Sequence, residues 1–147
     1  MANDLDHVRA IARKDSLSVV ATVRPDGTVH ASVANAGVVE DPLTGADRVG
    51  VVVAGGARKL SHLRSSGRAM VVFRHGLDWV GVEGPVSLVG PEDPLEAFGA
   101  AQRAGLIRGI FLAAGGTHED WDEFDRVMAA EGRTAVLVTP EHFFGNR

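Results

Sequence analysis

Residues 16–35 read SLSVVATVRPDGTVHASVAN, and this stretch decides the fold. From Ser16 to Arg24 the side chains alternate. Leu17, Val19, Ala21 and Val23 fall on one side and Ser18, Val20 and Thr22 on the other, the period-two pattern of a strand. Pro25, Asp26 and Gly27 then turn the chain, glycine supplying the positive φ that a tight hairpin requires. Thr28 to Asn35 makes the return strand.

Upstream, Asn3 or Asp4 can cap a short helix whose Leu5, Val8, Ile11 and Ala12 share one face, with Arg13 and Lys14 at its C-terminal end. Downstream, Val38 and Val39 lead into the turn-rich Asp41-Pro42-Leu43-Thr44-Gly45, and the β-branched run Val49 to Val53 returns as a second hairpin. A helical stretch, Ala57 to Arg64, follows, with Leu60 and Leu63 on one face and Gly67 closing it. Ala69 to Arg74 and Trp79 to Val89 form another hairpin across His75-Gly76, and Gly84-Pro85 marks a bulge or an edge, because proline cannot donate to an interior ladder.

Asp93-Pro94 predicts a helix start, with Glu96 closing a capping box and Leu95, Phe98 and Ala101 on the buried side. Thr117 and Asp120 predict the cap of a further helix, whose apolar face is Trp121, Phe124, Val127 and Met128 and which stops at Gly132. Thr134 to Thr139 is a last strand, ended by Pro140. Six short strands separated by turns, with helices only at the start, in one crossover and late in the chain, describe an α+β protein built on a small barrel rather than alternating βαβ units.

A chain of 147 residues fits one domain, spanning 1–147. The hydrophobic share of 45% and charged share of 23% are those of a soluble globular protein, with no tract biased toward disorder. A net charge of -4 without a Lys/Arg cluster argues against nucleic acid as a partner. The absence of cysteine excludes disulfides, thiolate metal sites and cysteine nucleophiles, and suits a reducing cytoplasm. The opening MANDLDHVRAIARKD lacks the apolar core of a signal peptide, and no segment reaches membrane-spanning length, so a cytoplasmic protein without a membrane partner is expected. Histidines at 7, 30, 62, 75, 118 and 142 include no pair at ligand spacing, and no metal site is expected. No nucleophile elbow, Ser/His/Asp order or paired-carboxylate motif stands out, and no catalytic side chain is identified.

The chemistry-bearing stretch is VVVAGGARKLSHL, residues 51–63. Gly55 and Gly56 would let backbone N–H groups approach an anion, the following helix start adds partial positive charge, and Arg58 and Lys59 add full charges. The same residues also read as a glycine turn before a solvated basic helix. At the hairpin tip, Trp79 stands beside Arg74, His75 and Asp78, either as the rim of a substrate pocket or as an aromatic packed beneath a solvated turn.

The order of strands, the helix Arg58 to Leu63, the segment GGTHEDWDEFDRVMAAEGRTAVLVTPEHFFG from Gly115 to Gly145, and HASVANAG from His30 to Gly37 together resemble the flavin and deazaflavin oxidoreductase superfamily, which includes the pyridoxamine 5'-phosphate oxidases. Their wording is most similar to the actinobacterial branch that uses the deazaflavin coenzyme F420. The resemblance implies a six-stranded split β-barrel with flanking helices, a homodimer with cofactor sites between protomers, and the cofactor phosphate held at the helix after the third strand. Lys59 matches the family's phosphate-binding lysine, with Ser61 and Arg58 close enough in sequence to assist. Relatives often carry a hydroxyl residue near Ala54 and an arginine near Ala57, and this chain has alanine at both. Ser32, Ala34 and Asn35 lie where the family contacts the flavin-type ring. The implied function is an F420-dependent reductase passing a hydride to an unsaturated small-molecule substrate. The alternatives are an FMN-dependent oxidase or reductase, since the two cofactors share a ribityl phosphate, and a non-catalytic cofactor-binding protein.

Overall fold

Inward-facing valines on five of the strands line the barrel into which the chain closes. The computed structural model describes residues 3–96 and 98–147. In chain order the elements are α1 (Leu5–Ala12), β1 (Leu17–Val23), β2 (Val29–Glu40), β3 (Asp47–Val53), α2 (Arg58–Ser66), β4 (Arg68–His75), β5 (Asp78–Val89), α3 (Ala100–Ala113), α4 (Trp121–Ala130), β6 (Thr134–Val138) and β7 (His142–Gly145). All strand pairs are antiparallel, in the order β4-β1-β2-β3-β6-β5, and β4 pairs with β5 to close the ring.

Two long strands serve both halves of the barrel. β2 pairs with β1 through Val29–Asn35 and with β3 through Ala36–Glu40. β5 pairs with β4 up to Pro85 and with β6 from Val86 onward. The two expected hairpins on either side of Ala36 are therefore joined by one bent strand.

The barrel interior gathers Val20, Val49, Val51, Val71, Phe73, Val80, Val82 and Val138, and Val8 and Ile11 of α1 and Leu60 and Leu63 of α2 are buried in the same cluster. Asp4, not Asn3, caps α1, accepting from the His7 amide. A second cluster, formed by Ile107, Ile110 and Phe124 with Ala135 and Leu137, packs α3 and α4 outside β3 and β6. Gly37 allows this: a Cβ there would lie 2.5 Å from the Ala113 backbone, so a larger residue would push α3 off β2.

Three expectations are corrected. Asp93-Pro94 does not start a helix, because the Asp93 carboxylate takes two hydrogen bonds from Arg64, at 3.0 and 2.6 Å, and its backbone closes a bridge with Gly90. The helix begins at Ala100, where the Gly99 amide donates to the Gln102 side chain at 2.9 Å. Leu95 and Phe98 form an isolated bridge before it and still pack on the second cluster. Second, β6 is not the last strand: among the described residues β7 follows Pro140 and pairs with Val80–Glu83 of β5, in addition to the six strands of the barrel. β6 and β7 pair in succession with β5 and are interrupted opposite Gly84, where a Cβ would meet the Thr139 carbonyl oxygen at 1.8 Å. Third, Val127 is exposed rather than part of the α4 core face, while Asp120 caps α4 as expected.

On β1 the polar-containing side, Ser18, Val20 and Thr22, is the buried one. The all-apolar side faces outward: Leu17, Val19 and Val23 are exposed, opposite the equally exposed Val33 and Val29 of β2. Val72 of β4 pairs with Val19, Gly81 with Val72 and the exposed Phe144 with Gly81, which carries this face across the sheet to β7.

Candidate functional site

The start of α2 and the first half of β2 place a cation at the mouth of a cavity. His30, Ser32 and Ala34 are half-buried, while the alternate residues Val29, Ala31, Val33 and Asn35 are exposed. The half-buried Lys59 extends its ammonium Nζ to Ser32 Oγ at 2.9 Å. Among the described residues no carboxylate pairs with it. Burial, and then the neighbouring Arg133 guanidinium, hold the Lys59 amine below its ordinary pKa. A desolvated ammonium with one neutral partner gains from any anion that reaches it.

The cavity has a volume of about 450 Å³. Val33, Ala34 and Asn35 of β2 and Val52 and Val53 of β3 form one side, continuing through Ala54, Ala57 and Lys59. Ile110 and Phe111 of α3 and Ala114 just after it, with Phe124 and Met128 of α4, form the apolar side, and Arg133 brings a second cation. The pairing of α3 with α4 holds that wall: Arg108 Nε donates to Asp125 Oδ1 at 2.8 Å, and its guanidinium lies 5.3 Å from the Trp121 ring centroid. A mostly apolar pocket of this size with two convergent cations suits a small organic molecule carrying an anionic group.

The structure gathers Ser32, Ala34, Asn35, Ala57 and Lys59 at this cavity. Asn35, which lines the cavity, accepts a hydrogen bond from Ser16 Oγ at 3.0 Å through its side-chain oxygen, and among the described residues its amide N–H groups have no partner. Gly55 and Gly56 line a different hollow, beside Arg64, Glu92 and Glu131. The Gly55 amide donates to the Glu131 carbonyl at 3.1 Å, and a Cβ on Gly55 would lie 2.8 Å from the Gly132 oxygen. Gly55 is thus glycine because the α4–β6 turn packs on it, and its N–H is engaged within the chain. Arg58 and Ser61 are exposed on α2, outside the cavity lining. Trp79 is not at the cavity; its amide donates to Asn146 beside the β4–β5 hairpin.

Sequence reasoning missed Arg133, Ile110 and Phe111. Arg133 sits between the glycine that stops α4 and the first residue of β6, a position with no local signal for a ligand. A second feature beyond the sequence reading is an imidazole pair. His30 and His62 stack edge-on with centroids 5.2 Å apart, and His62 Nδ1 shares a 3.2 Å hydrogen bond with Thr22 Oγ1. Glu83, Glu141 and His142 also cluster, but Arg68 bridges the two carboxylates at 2.7 and 2.8 Å, which makes the group an ion-pair network.

A closed six-stranded antiparallel barrel whose β2 and β5 belong to both of its sheets, with helices packed outside one of them, defines a split β-barrel. The chain belongs to the pyridoxamine 5'-phosphate oxidase family, which it matches over residues 5–145. That family includes oxidoreductases. No curated protein matches the chain. Among solved structures it is similar to the conserved hypothetical protein Rv2991 from Mycobacterium tuberculosis, with a TM-score of 0.70 and 15% identity over 99% of this chain and 84% of that one. It is also similar to an F420 reductase, with a TM-score of 0.63 and 14% identity over 92% of this chain and 94% of that one. HutZ, the heme storage protein from Vibrio cholerae, gives a TM-score of 0.59 and 15% identity over 99% and 95%. Identities this low establish a shared fold. Among the described residues no helix is long and apolar enough to cross a membrane.

Proposed function

We propose that the chain is an oxidoreductase that binds the deazaflavin coenzyme F420 and passes a hydride to an unsaturated organic substrate, acting as a homodimer. The observation that carries this reading is Lys59, half-buried and without a carboxylate partner among the described residues, at the edge of a cavity walled by aromatic and aliphatic side chains. The residues present fit such a cofactor. Lys59, Ser32 and Arg133 supply donors for its phosphate, Ala34 leaves space on the β2 wall, and Asn35 offers amide N–H groups to a polar ring edge. Phe111, Phe124 and Met128 exclude water from the opposite side. When bound, the deazaflavin supplies the two-electron hydride chemistry. The chain's residues bind and orient; no proton-carrying side chain is required of them.

Dimerisation is supported by the outward face of β1 and β2. Leu17, Val29 and Val33 are 51%, 62% and 60% exposed there, an apolar area contiguous with the cavity edge at Val33 and Asn35. A second copy seated on this face would cover it and border the cavity.

FMN is the alternative cofactor, because the Lys59 site reads only the ribityl phosphate that the two share. Non-catalytic cofactor binding is the third reading, and it draws support from the alanines at 54 and 57, which leave the cavity mouth without the hydroxyl and charge that relatives often carry. Titrating the purified protein with F420 and with FMN in one buffer separates these. The proposal expects tighter binding of F420 and turnover with its reduced form. Tighter binding of FMN, with oxygen-dependent turnover, would replace it with the alternative, and binding without any turnover would favour the third reading.

A further inference from the structure

Beyond Lys59 the strip between β2 and α2 continues into a set of groups that the cavity does not use. His30 lies two residues before Ser32 on the same side of β2, and His62 lies one helical turn beyond Lys59 on α2, so the imidazole pair adjoins the Lys59–Ser32 bond. The two rings are not equivalent. His62 Nδ1 is tied to Thr22, whereas His30 Nδ1 is buried with no hydrogen-bond partner among the described residues. A buried ring nitrogen without a partner is costly unless something else compensates it.

The groups that set the charge of His30 come from every element around it. They are Arg24 at the end of β1 and Arg58, Lys59 and His62 of α2, and each opposes a further positive charge. Desolvation acts in the same direction and is the largest cause, so the imidazole is held below its ordinary pKa. Asp26, in the turn between β1 and β2, does not offset this, because its carboxylate is held by the Thr28 amide and hydroxyl at 2.9 and 2.6 Å. An anion placed against Lys59 and Ser32 would offset part of the positive charge that acts on His30.

We propose that the His30–His62 pair extends the Lys59 anion site, and that His30 takes up one proton when an anionic group binds there. The proposal rests on the anion-binding reading of Lys59 and adds to it a coupling between ligand and proton. Because linkage is reciprocal, ligand affinity then rises as pH falls through the ordinary histidine range, and the ligand raises the His30 titration midpoint by the same free energy. The step is a protonation: a hydronium ion of the solvent gives up an O–H bond to its proton, and a new N–H bond forms on the His30 imidazole.

The test uses the full-length protein and sulfate, whose double charge is constant across this range. Histidine ring signals assigned by NMR are followed from about pH 5 to about pH 8, in sulfate and in chloride at equal ionic strength. The expected result is a His30 midpoint below the ordinary value in chloride that moves up by about one pH unit in sulfate, equivalent to about tenfold tighter binding to the protonated form. In Lys59→Met the sulfate effect disappears, and in His30→Gln sulfate still binds but its affinity no longer varies with pH. Sulfate that shifts the Lys59 and Ser32 signals while leaving the His30 midpoint unmoved overturns this proposal alone. Sulfate that moves none of these signals overturns both it and the anion-binding reading.

Discussion

Replacing Lys59 with methionine keeps the length and apolar stem of the side chain and deletes its charge. Among the described residues this ammonium donates to Ser32 Oγ at 2.9 Å and meets no carboxylate, so a cofactor phosphate would add a charge-assisted interaction that it lacks there. A hydrogen bond to a charged group contributes about 1.5 to 3 kcal/mol, which corresponds to about tenfold to about 150-fold in dissociation constant. Fluorescence titration of Lys59→Met with F420, and separately with FMN, at one salt concentration should show a loss in that range for both. Stability should move the other way. Burial lowers the Lys59 pKa in the folded chain, so folding disfavours the charged form. At neutral pH, where both folded and unfolded chains are protonated, that is a cost, and it is relieved only as pH rises toward the ordinary lysine range. The ligand-free variant should therefore unfold at a urea concentration no lower than the wild type near pH 7. A dissociation constant unchanged within about twofold would refute the assignment of Lys59 as the phosphate ligand. A weakening matched by lost stability would refute the reasoning that separates binding from folding.

Gly84→Ala places a methyl group where the Thr139 carbonyl oxygen lies 1.8 Å away, so the β6–β7 edge must leave β5. A loss of more than about 3 kcal/mol is expected by urea denaturation, and a loss under about 1 kcal/mol would show that this edge is not fixed. Val19 and Val33 face each other on the exposed apolar sheet, and aspartate at both should convert the proposed dimer to a monomer in sedimentation equilibrium. A dimer that survives the double change places the interface elsewhere. The Asp78 carboxylate is held below the ordinary range by its hydrogen bond with His7, then by the Arg147 charge. It therefore contributes stability above about pH 4 that is lost as pH falls through its lower folded value. Asp78→Asn should flatten the fall in melting temperature between about pH 5 and about pH 2, and identical profiles would show the pair to be inconsequential.

The sequence by itself determined the barrel. The alternation in residues 17–23, the Pro25-Asp26-Gly27 turn and the β-branched run at 49–53 became β1, its hairpin and β3, because strand patterning and turn chemistry are local properties of the chain. The place of Lys59 at the start of α2 was legible for a related reason, since a glycine turn running into a helix has a recognisable local form, while its phosphate role is a proposal. What failed was whatever a distant partner decides. Asp93 has every local mark of a helix cap, yet Arg64, 29 residues away, takes its carboxylate. Gly55 resembles a phosphate cradle until the α4–β6 turn packs on it and takes its amide. The apolar side of β1 has the pattern of a core face, and only the closed ring shows that Ser18, Val20 and Thr22 are the buried side instead. Arg133, Phe111 and the His30–His62 contact come from residues far apart along the chain, brought together by packing helices on a barrel, and neither composition nor periodicity encodes which of them will meet.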